Sequence, residues 1–493
     1  MKTVLGIDLG TQSVKVVFYD FAARSIAGMA SAPLELDQDD TGKAEQHAGW
    51  WIDALRKALG KVDADVRGSA LAVAVSGQQH GFVPLGRDGN VLAPVKLWCD
   101  TATAREAEEI MAAFGGREAC IAKVGNPIAT GYTASKIRWL KKADPGAYGE
   151  LDCILLPHDY LNFYLTGERC MEMGDASGTG FLDIRERTWS QAMLQAIDGD
   201  RDLSACLPAL RLDNESVGTL RPEVANELGL PAGIEVAIGG GDNMMGAIGT
   251  GNVRAGNVTM SLGTSGTVYA FADEPIIDPN GDIAAFCSST GGWLPLLCTM
   301  NCTVTTELMR ALLGADIDAF ETQIAAASRG ADGVITLPFF NGERTPNLPD
   351  ARGCIVGLNS RNARPANLLR SAVEGATFAL KFGIDELAAL GVATREIVVT
   401  GGGAKSATWR QVVADVCNAP VVVLDQDEGA AFGAALQALQ LVERGATLAE
   451  LADAHLSRNA ARSCEPRDDA VGAYRDHYQD YQRAVAAIAP MYA

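Results

Sequence analysis

A chain of 493 residues is more than one hydrophobic core comfortably fills, so two large domains with a cleft between them are expected. Its 61 acidic against 41 basic residues give a formal charge of -20, which disfavours nucleic acid and anionic membranes but not a small anion held by backbone amides and a metal ion. Eleven cysteines without a CxxC pair and five histidines without HExxH argue against structural zinc and fit a reduced, cytoplasmic protein; the opening apolar run is too short for a signal peptide or a membrane span.

In chain order, Val4 to Asp8 reads as a buried strand, Gly10 to Ser13 as a turn and Val14 to Asp20 as the returning strand, with Arg24 to Ser31 extending the meander. Helical periodicity follows at Gly49 to Leu59, Ala102 to Phe114, Ala134 to Lys142 and Tyr160 to Leu165, separated by apolar strands such as Ala70 to Val75 and Glu235 to Ile238. Near the middle the opening pattern returns, with a strand at Asn257 to Leu262, a turn at Gly263-Thr264-Ser265-Gly266 and a strand at Thr267 to Phe271. Leu262-Gly263-Thr264 repeats Leu9-Gly10-Thr11, about where a duplicated two-lobe architecture would place a second copy. The second half continues with a strand at Gly333 to Pro338, a long helix at Pro365 to Ala389, a strand at Glu396 to Val399 and a helix at Lys405 to Cys417. A short strand at Val421 to Leu424, an Ala-rich helix from Gly429 and a closing helix at about Asp469 to Ile488 complete an α/β pattern.

Five segments could carry chemistry. Asp8-Leu9-Gly10-Thr11 puts a carboxylate at a strand end beside a turn whose amides and hydroxyl suit phosphate, the carboxylate being able to hold a hydrated Mg²⁺; a plain hairpin turn has the same sequence. Ser261 to Gly266 offers similar donors from the other half of the chain. Gly401-Gly402-Gly403-Ala404-Lys405-Ser406, between a strand and a helix, suits a nucleobase and ribose or a diphosphate, and is neither a Rossmann fingerprint nor a Walker A loop. Gly239-Gly240-Gly241-Asp242-Asn243 surrounds one carboxylate with residues lacking side chains, as expected where a substrate comes close, although Asp before a helix is also a common N-cap. Ser76-Gly77-Gln78-Gln79-His80-Gly81 places amides and an imidazole at a strand's carboxyl end, where they suit polyol hydroxyls or serve the structure alone.

Taken in this order, the five segments resemble the FGGY family of carbohydrate kinases, which shares the two-lobed actin, hexokinase and heat-shock-ATPase (ribonuclease H-like) fold. The resemblance also covers Glu45-Gln46-His47 before Trp50-Trp51, Leu97-Trp98-Cys99-Asp100 and Leu156-Pro157-His158-Asp159-Tyr160-Leu161. Within the family, Gly77-Gln78-Gln79-His80-Gly81 and Asn341-Gly342-Glu343-Arg344-Thr345-Pro346 are most similar to the kinases of D-xylulose. The resemblance implies ATP-dependent phosphorylation of D-xylulose to D-xylulose 5-phosphate, with Asp242 as catalytic base and Gln79, His80, Asp242 and Asn243 on the sugar. It further implies Asp8 supporting Mg²⁺, and Thr11, Gly263, Thr264, Gly402, Gly403 and Ser406 around ATP. The expected domains are residues 1–245, for the sugar and first phosphate turn, and 246–493, for the nucleotide and closing helix. Family members are often homodimers. Cys99-Asp100-Thr101-Ala102 departs from the family's Asn-Asp-x-Arg, which puts a sugar contact from that loop in doubt, and Glu343-Arg344 is expected to be structural. A kinase for L-xylulose, ribulose, ribitol or gluconate is the nearest alternative, and a non-catalytic nucleotide-dependent sugar sensor the remote one.

Overall fold

A computed structural model describes residues 1–211, 215–426 and 428–492. The chain forms two compact units, one of residues 1–253, 272–294 and 428–456, the other of 254–271, 295–427 and 457–493.

In the first unit the β-branched runs of the N-terminus build a mixed sheet ordered Ser216–Thr219, Glu235–Ala237, Ala70–Gly77, Thr3–Leu9, Ser13–Asp20 and Ser25–Pro33. Thr3–Leu9 is antiparallel to Ser13–Asp20 and parallel to Ala70–Gly77. A two-residue strand, Gly240–Gly241, also pairs parallel with the end of Ala70–Gly77. Central strands covered on both faces need apolar residues at every position, and Val4, Leu5, Ile7, Leu9, Val73 and Val75 are all buried. The second unit repeats the scheme. Asn257–Leu262 is antiparallel to Gly266–Ala270 and parallel to Glu396–Thr400, giving the order Leu296–Thr299, Gly266–Ala270, Asn257–Leu262, Glu396–Thr400, Val421–Val422. The short repeat of Leu-Gly-Thr thus marks the same hairpin in two sheets of the same pairing pattern.

The helices fall where periodicity places them, as Ala48–Gly60, Ala104–Phe114, Thr133–Ala143, Pro157–Thr166, Pro365–Ala389 and Asp468–Ile488. Lys405 is a difference: it closes a short 3₁₀ turn, Gly402–Lys405, and the α-helix begins at Ala407 because the Ser406 hydroxyl caps it by accepting the Trp409 N–H at 3.0 Å.

The Ala-rich helix Gly429–Val442 belongs to the first unit, although it lies far along the chain. It is apolar nearly all round, as a helix packed on several sides must be, and it contacts the strands Thr3–Leu9 and Ala70–Gly77 and the helix Asp242–Gly249. Small residues set the approach. A Cβ on Gly6 would overlap the Ala431 carbonyl, one on Gly249 the Gly429 carbonyl, and one on Gly433 the Met245 carbonyl. Gln437 on the same helix takes both polar groups of Gly239, accepting its N–H at 2.7 Å and donating to its carbonyl at 3.2 Å. In an isolated helix Gly433→Ala would add helix propensity; here the backbone overlap dominates. We expect it to lower Tm by about 2 °C or more, measured by differential scanning calorimetry.

Candidate active site

Strand register assembles the first unit's site. Asp8 lies opposite Ser76, and Ser76 opposite Gly240, so three parallel strands end at one level and their next residues emerge together. Ser76 Oγ donates to Asp8 Oδ1 at 2.9 Å, while burial pushes the Asp8 carboxyl up and nearby Glu428 adds to the shift. Lys15, paired with Glu428 at 2.5 Å, opposes it. The Thr11 hydroxyl donates to Gln78 Oε1 at 3.1 Å and accepts the Trp98 indole N–H at 3.0 Å. Behind it, buried Gln46 donates to the Thr11 carbonyl at 2.8 Å and accepts from both Gln78 and Trp51 at 2.9 Å. This is the structural content of Glu45-Gln46-His47 before Trp50-Trp51: the Gln46 amide holds the first Gly-Thr turn.

Gln79, His80, Asp242 and Asn243 converge. Asn243 Nδ2 donates to Gln79 Oε1 at 2.7 Å and to Asp242 Oδ1 at 3.0 Å, and the Asn243 backbone N–H reaches the same Asp242 oxygen at 2.8 Å. The buried Gln79 amide nitrogen has no hydrogen-bond partner among the described residues, a costly state that a ligand acceptor would relieve. Asp242 is the first residue of its helix, Gly241 holds the cap position, and no side-chain cap forms, so the N-cap alternative falls. Desolvation, then the neighbouring Asp8 and Asp175 charges, push the Asp242 carboxyl up to about 7, where a carboxylate serves as a base near neutrality.

The three glycines before Asp242 are needed for a different reason from the one expected. Gly239 has φ +73° and a Cβ there would overlap the Val75 carbonyl; on Gly240 it would lie 2.6 Å from Ser289 Oγ, and on Gly241 2.7 Å from Gln79 Cγ. They admit the protein's own neighbours, which crowd around the backbone that leads into Asp242.

In the second unit the nucleotide candidates gather in the same way, with Ser261 opposite Thr400 at the parallel strand ends. The carbonyls of Gly263 and Thr264 accept the Thr303 and Cys302 N–H groups at 2.8 and 2.9 Å, tying the second Gly-Thr turn to the helix Thr303–Leu313. Of the triple glycine, Gly401 has φ +86° and backs onto the Leu262 carbonyl, and a Cβ on Gly403 would press on Leu262 and Trp409 at 2.9 and 3.0 Å. Gly402 alone faces open space. Ser406 is the helix cap already described.

Asp100 is wholly buried, bonded to Lys96 Nζ at 3.0 Å and to the Ala44 N–H at 2.9 Å, so it braces the fold. Glu343 is structural as well: its carboxylate accepts the Met300 and Arg344 N–H groups at 2.6 and 2.8 Å and the Asn301 amide at 3.1 Å. Two acids escaped the sequence reading. Glu172 caps the short helix Met173–Ala176 through the Gly174 and Asp175 N–H groups, and burial pushes it up to about 7. Asp175, on that helix, is fully buried and held down to about 2 by His158 and His80 against the opposing effect of burial. The signal was present: two acids in Glu172-Met173-Gly174-Asp175-Ala176-Ser177-Gly178, a run otherwise of small residues apart from Met173.

The chain belongs to the FGGY family of carbohydrate kinases. The family's N-terminal domain matches residues 3–249 and its C-terminal domain residues 258–441. The chain is similar to the xylulose kinase of Haemophilus influenzae, with 41% identity over 97% of this chain and 98% of that one. It is also similar to the structure of a xyloylose kinase from Brucella ovis, with 31% identity, a TM-score of 0.91 and coverage of 99% and 100%. The gluconate kinase of Lactobacillus acidophilus, at 24% identity, TM-score 0.91 and coverage of 100% and 99%, shows the same fold.

The glycines give a paired test. Gly402→Ala is expected to leave the Tm of the unliganded protein within about 1 °C while weakening ADP binding by calorimetry, whereas Gly403→Ala should lower Tm by about 2 °C or more.

Proposed function

We propose that the protein transfers the γ-phosphoryl group of ATP to the terminal hydroxyl, on carbon five, of D-xylulose. The observation that carries this is the Asp242 carboxyl, pushed up to about 7 and placed beside the unpartnered Gln79 amide, a base and a hydroxyl-reading donor on one hydrogen-bonded chain through Asn243. Support for the acceptor comes from the xylulose kinase relative, similar along nearly its whole length.

In this mechanism Gln79, His80 and Asn243 hold the sugar, Asp242 accepts the proton of the attacking hydroxyl, and the oxygen displaces ADP in line. We assign the acceptor groups to residues 1–245 and the nucleotide groups Gly263, Thr264, Gly402, Gly403 and Ser406 to 246–493. The Thr11 turn supplies backbone donors, its hydroxyl being engaged by Gln78 and Trp98. Asp8 fits a Mg²⁺ role: it is a buried carboxyl at a strand end whose charge adds to the upward push on Asp242, a repulsion that a cation would relieve. A Mg²⁺ ion that keeps several waters and binds phosphate oxygens would need only one or two carboxylates from the protein. Mg²⁺, when bound, would neutralise charge on the phosphates. A sugar acid such as gluconate would bring a further negative charge among Asp8, Asp175 and Asp242, which favours a neutral ketose. We place the protein in the cytoplasm, a compartment that keeps thiols reduced.

Turnover of Mg-ATP over a panel of pentuloses, polyols and hexonates should give D-xylulose the highest kcat/KM, and another winner would overturn the acceptor assignment. Asp242→Ala should cost about 10²–10⁴-fold in kcat with ATP binding retained, and a small effect would remove Asp242 as base. As a base Asp242 acts only when deprotonated, so wild-type kcat/KM should fall as pH drops through about 7; a flat profile from pH 5 to 8 would contradict the assignment.

A further inference from the structure

We infer that Gln437 is the positioning residue for Asp242: its amide holds a one-residue bulge in the strand that leads to Asp242 and thereby sets where that carboxylate stands. This rests on the proposed role of Asp242 as base.

The bulge shows in the strand register. Glu235 and Val236 lie opposite Ala72 and Val73, whereas Gly240 and Gly241 lie opposite Ser76 and Gly77. Three residues, Ala237, Ile238 and Gly239, therefore span a stretch that Ala74 and Val75 cover on the partner strand. An unbroken register would bring Gly240 opposite Gly77; the extra residue sets it back to Ser76, which lies opposite Asp8. Side chains alternate along a strand, so this one residue also exchanges the faces of those that follow, and bulges beside active sites re-aim side chains in this way.

A bulged segment leaves the ladder, and its backbone groups need other partners. The Ile238 N–H donates to the Glu215 carbonyl at 3.2 Å, and the Ile238 carbonyl accepts from buried Asn162 Nδ2 at 2.7 Å. Gly239, at φ +73°, turns both of its groups to one side chain 198 positions further along, the Gln437 amide, which accepts the N–H and donates to the carbonyl as a strand neighbour would. A carboxamide presents an acceptor and a donor side by side, which matches the N–H and carbonyl of one residue. Gln437 is buried, so an apolar residue in its place would leave both groups of Gly239 unpaired away from water. One turn back on the same helix, Gly433 meets the Met245 carbonyl so closely that no Cβ fits. Asp242 thus stands midway between two holds from one helix, Gly239 three residues before it and Met245 three after.

Turnover with whichever sugar of the panel serves best tests the inference independently of the sugar's identity. Gln437→Met keeps the side-chain length and loses both hydrogen bonds; it should lower kcat about tenfold or more, with the KM for sugar and for ATP each within about twofold. In an Asp242→Ala background it should cost nothing further. An unchanged kcat in Gln437→Met, or multiplying losses in the double variant, would overturn the positioning. Asp242→Ala alone reports on the base: if it is slow and Gln437→Met is not, the base stands and the positioning falls, whereas a small loss in Asp242→Ala would remove both. Gln437→Glu keeps an acceptor for the Gly239 N–H and, when protonated, a donor for its carbonyl, so its loss should be smaller; equal losses would also count against the inference. Where Gln437→Met does not fold, hydrogen exchange on the unaltered protein decides. The Gly239 amide, within the peptide Ile238 to Asn243, should be protected without ligand, and exchange at the rate of an unstructured chain would mean that no clamp exists.

Discussion

Like charges brought together out of water dominate the first unit. Asp8, Glu172, Asp175 and Asp242 gather around the ends of parallel strands, and their carboxyl groups would be neutral unless something favoured ionisation. The fold answers differently at each. Asp175 receives two imidazoles and stays ionised. Asp242 receives only the Asn243 donors and is left near neutrality, while Glu172 is left there despite two backbone N–H groups. One neighbourhood thereby separates a lasting anion from a carboxyl that can take and release a proton near neutrality, the kind of division that acid–base chemistry uses.

Much of this was legible in the sequence, because the decisive elements are periodic or punctuated by glycine. The N-terminal hairpin, its second copy at Asn257 and the helix Pro365–Ala389 could be read from apolar period and turn chemistry alone. The order of the Gly-rich segments was enough to carry the family resemblance. What could not be read was long-range. Asp175 gains its meaning from histidines 95 and 17 positions away, and the Gln46 amide from a turn 35 positions away. A four-residue helix such as Met173–Ala176 has too few residues for periodicity to register.

The glycines show how a correct pattern can hide a different cause. A run of three was expected to clear space for a ligand, and in Gly401-Gly402-Gly403 only the middle one faces open space. In Gly239-Gly240-Gly241 none does. There the missing side chains let Val75, Ser289 and Gln79 close upon the backbone, so the cost in chain entropy goes into rigidity at Asp242.

The helix Gly429–Val442 also has a meaning in time. A ribosome releases the first unit's main segment, to residue 253, long before this helix, an interval of tens of seconds at about 5–20 residues per second. Throughout it the apolar strands Thr3–Leu9 and Ala70–Gly77 lack the helix that covers them, and Gly239 lacks the Gln437 clamp. The nascent chain therefore carries an adhesive, unfinished sheet during synthesis. Its yield in a cell should depend on holdase chaperones and on translation speed between the two segments, even though the finished enzyme needs neither.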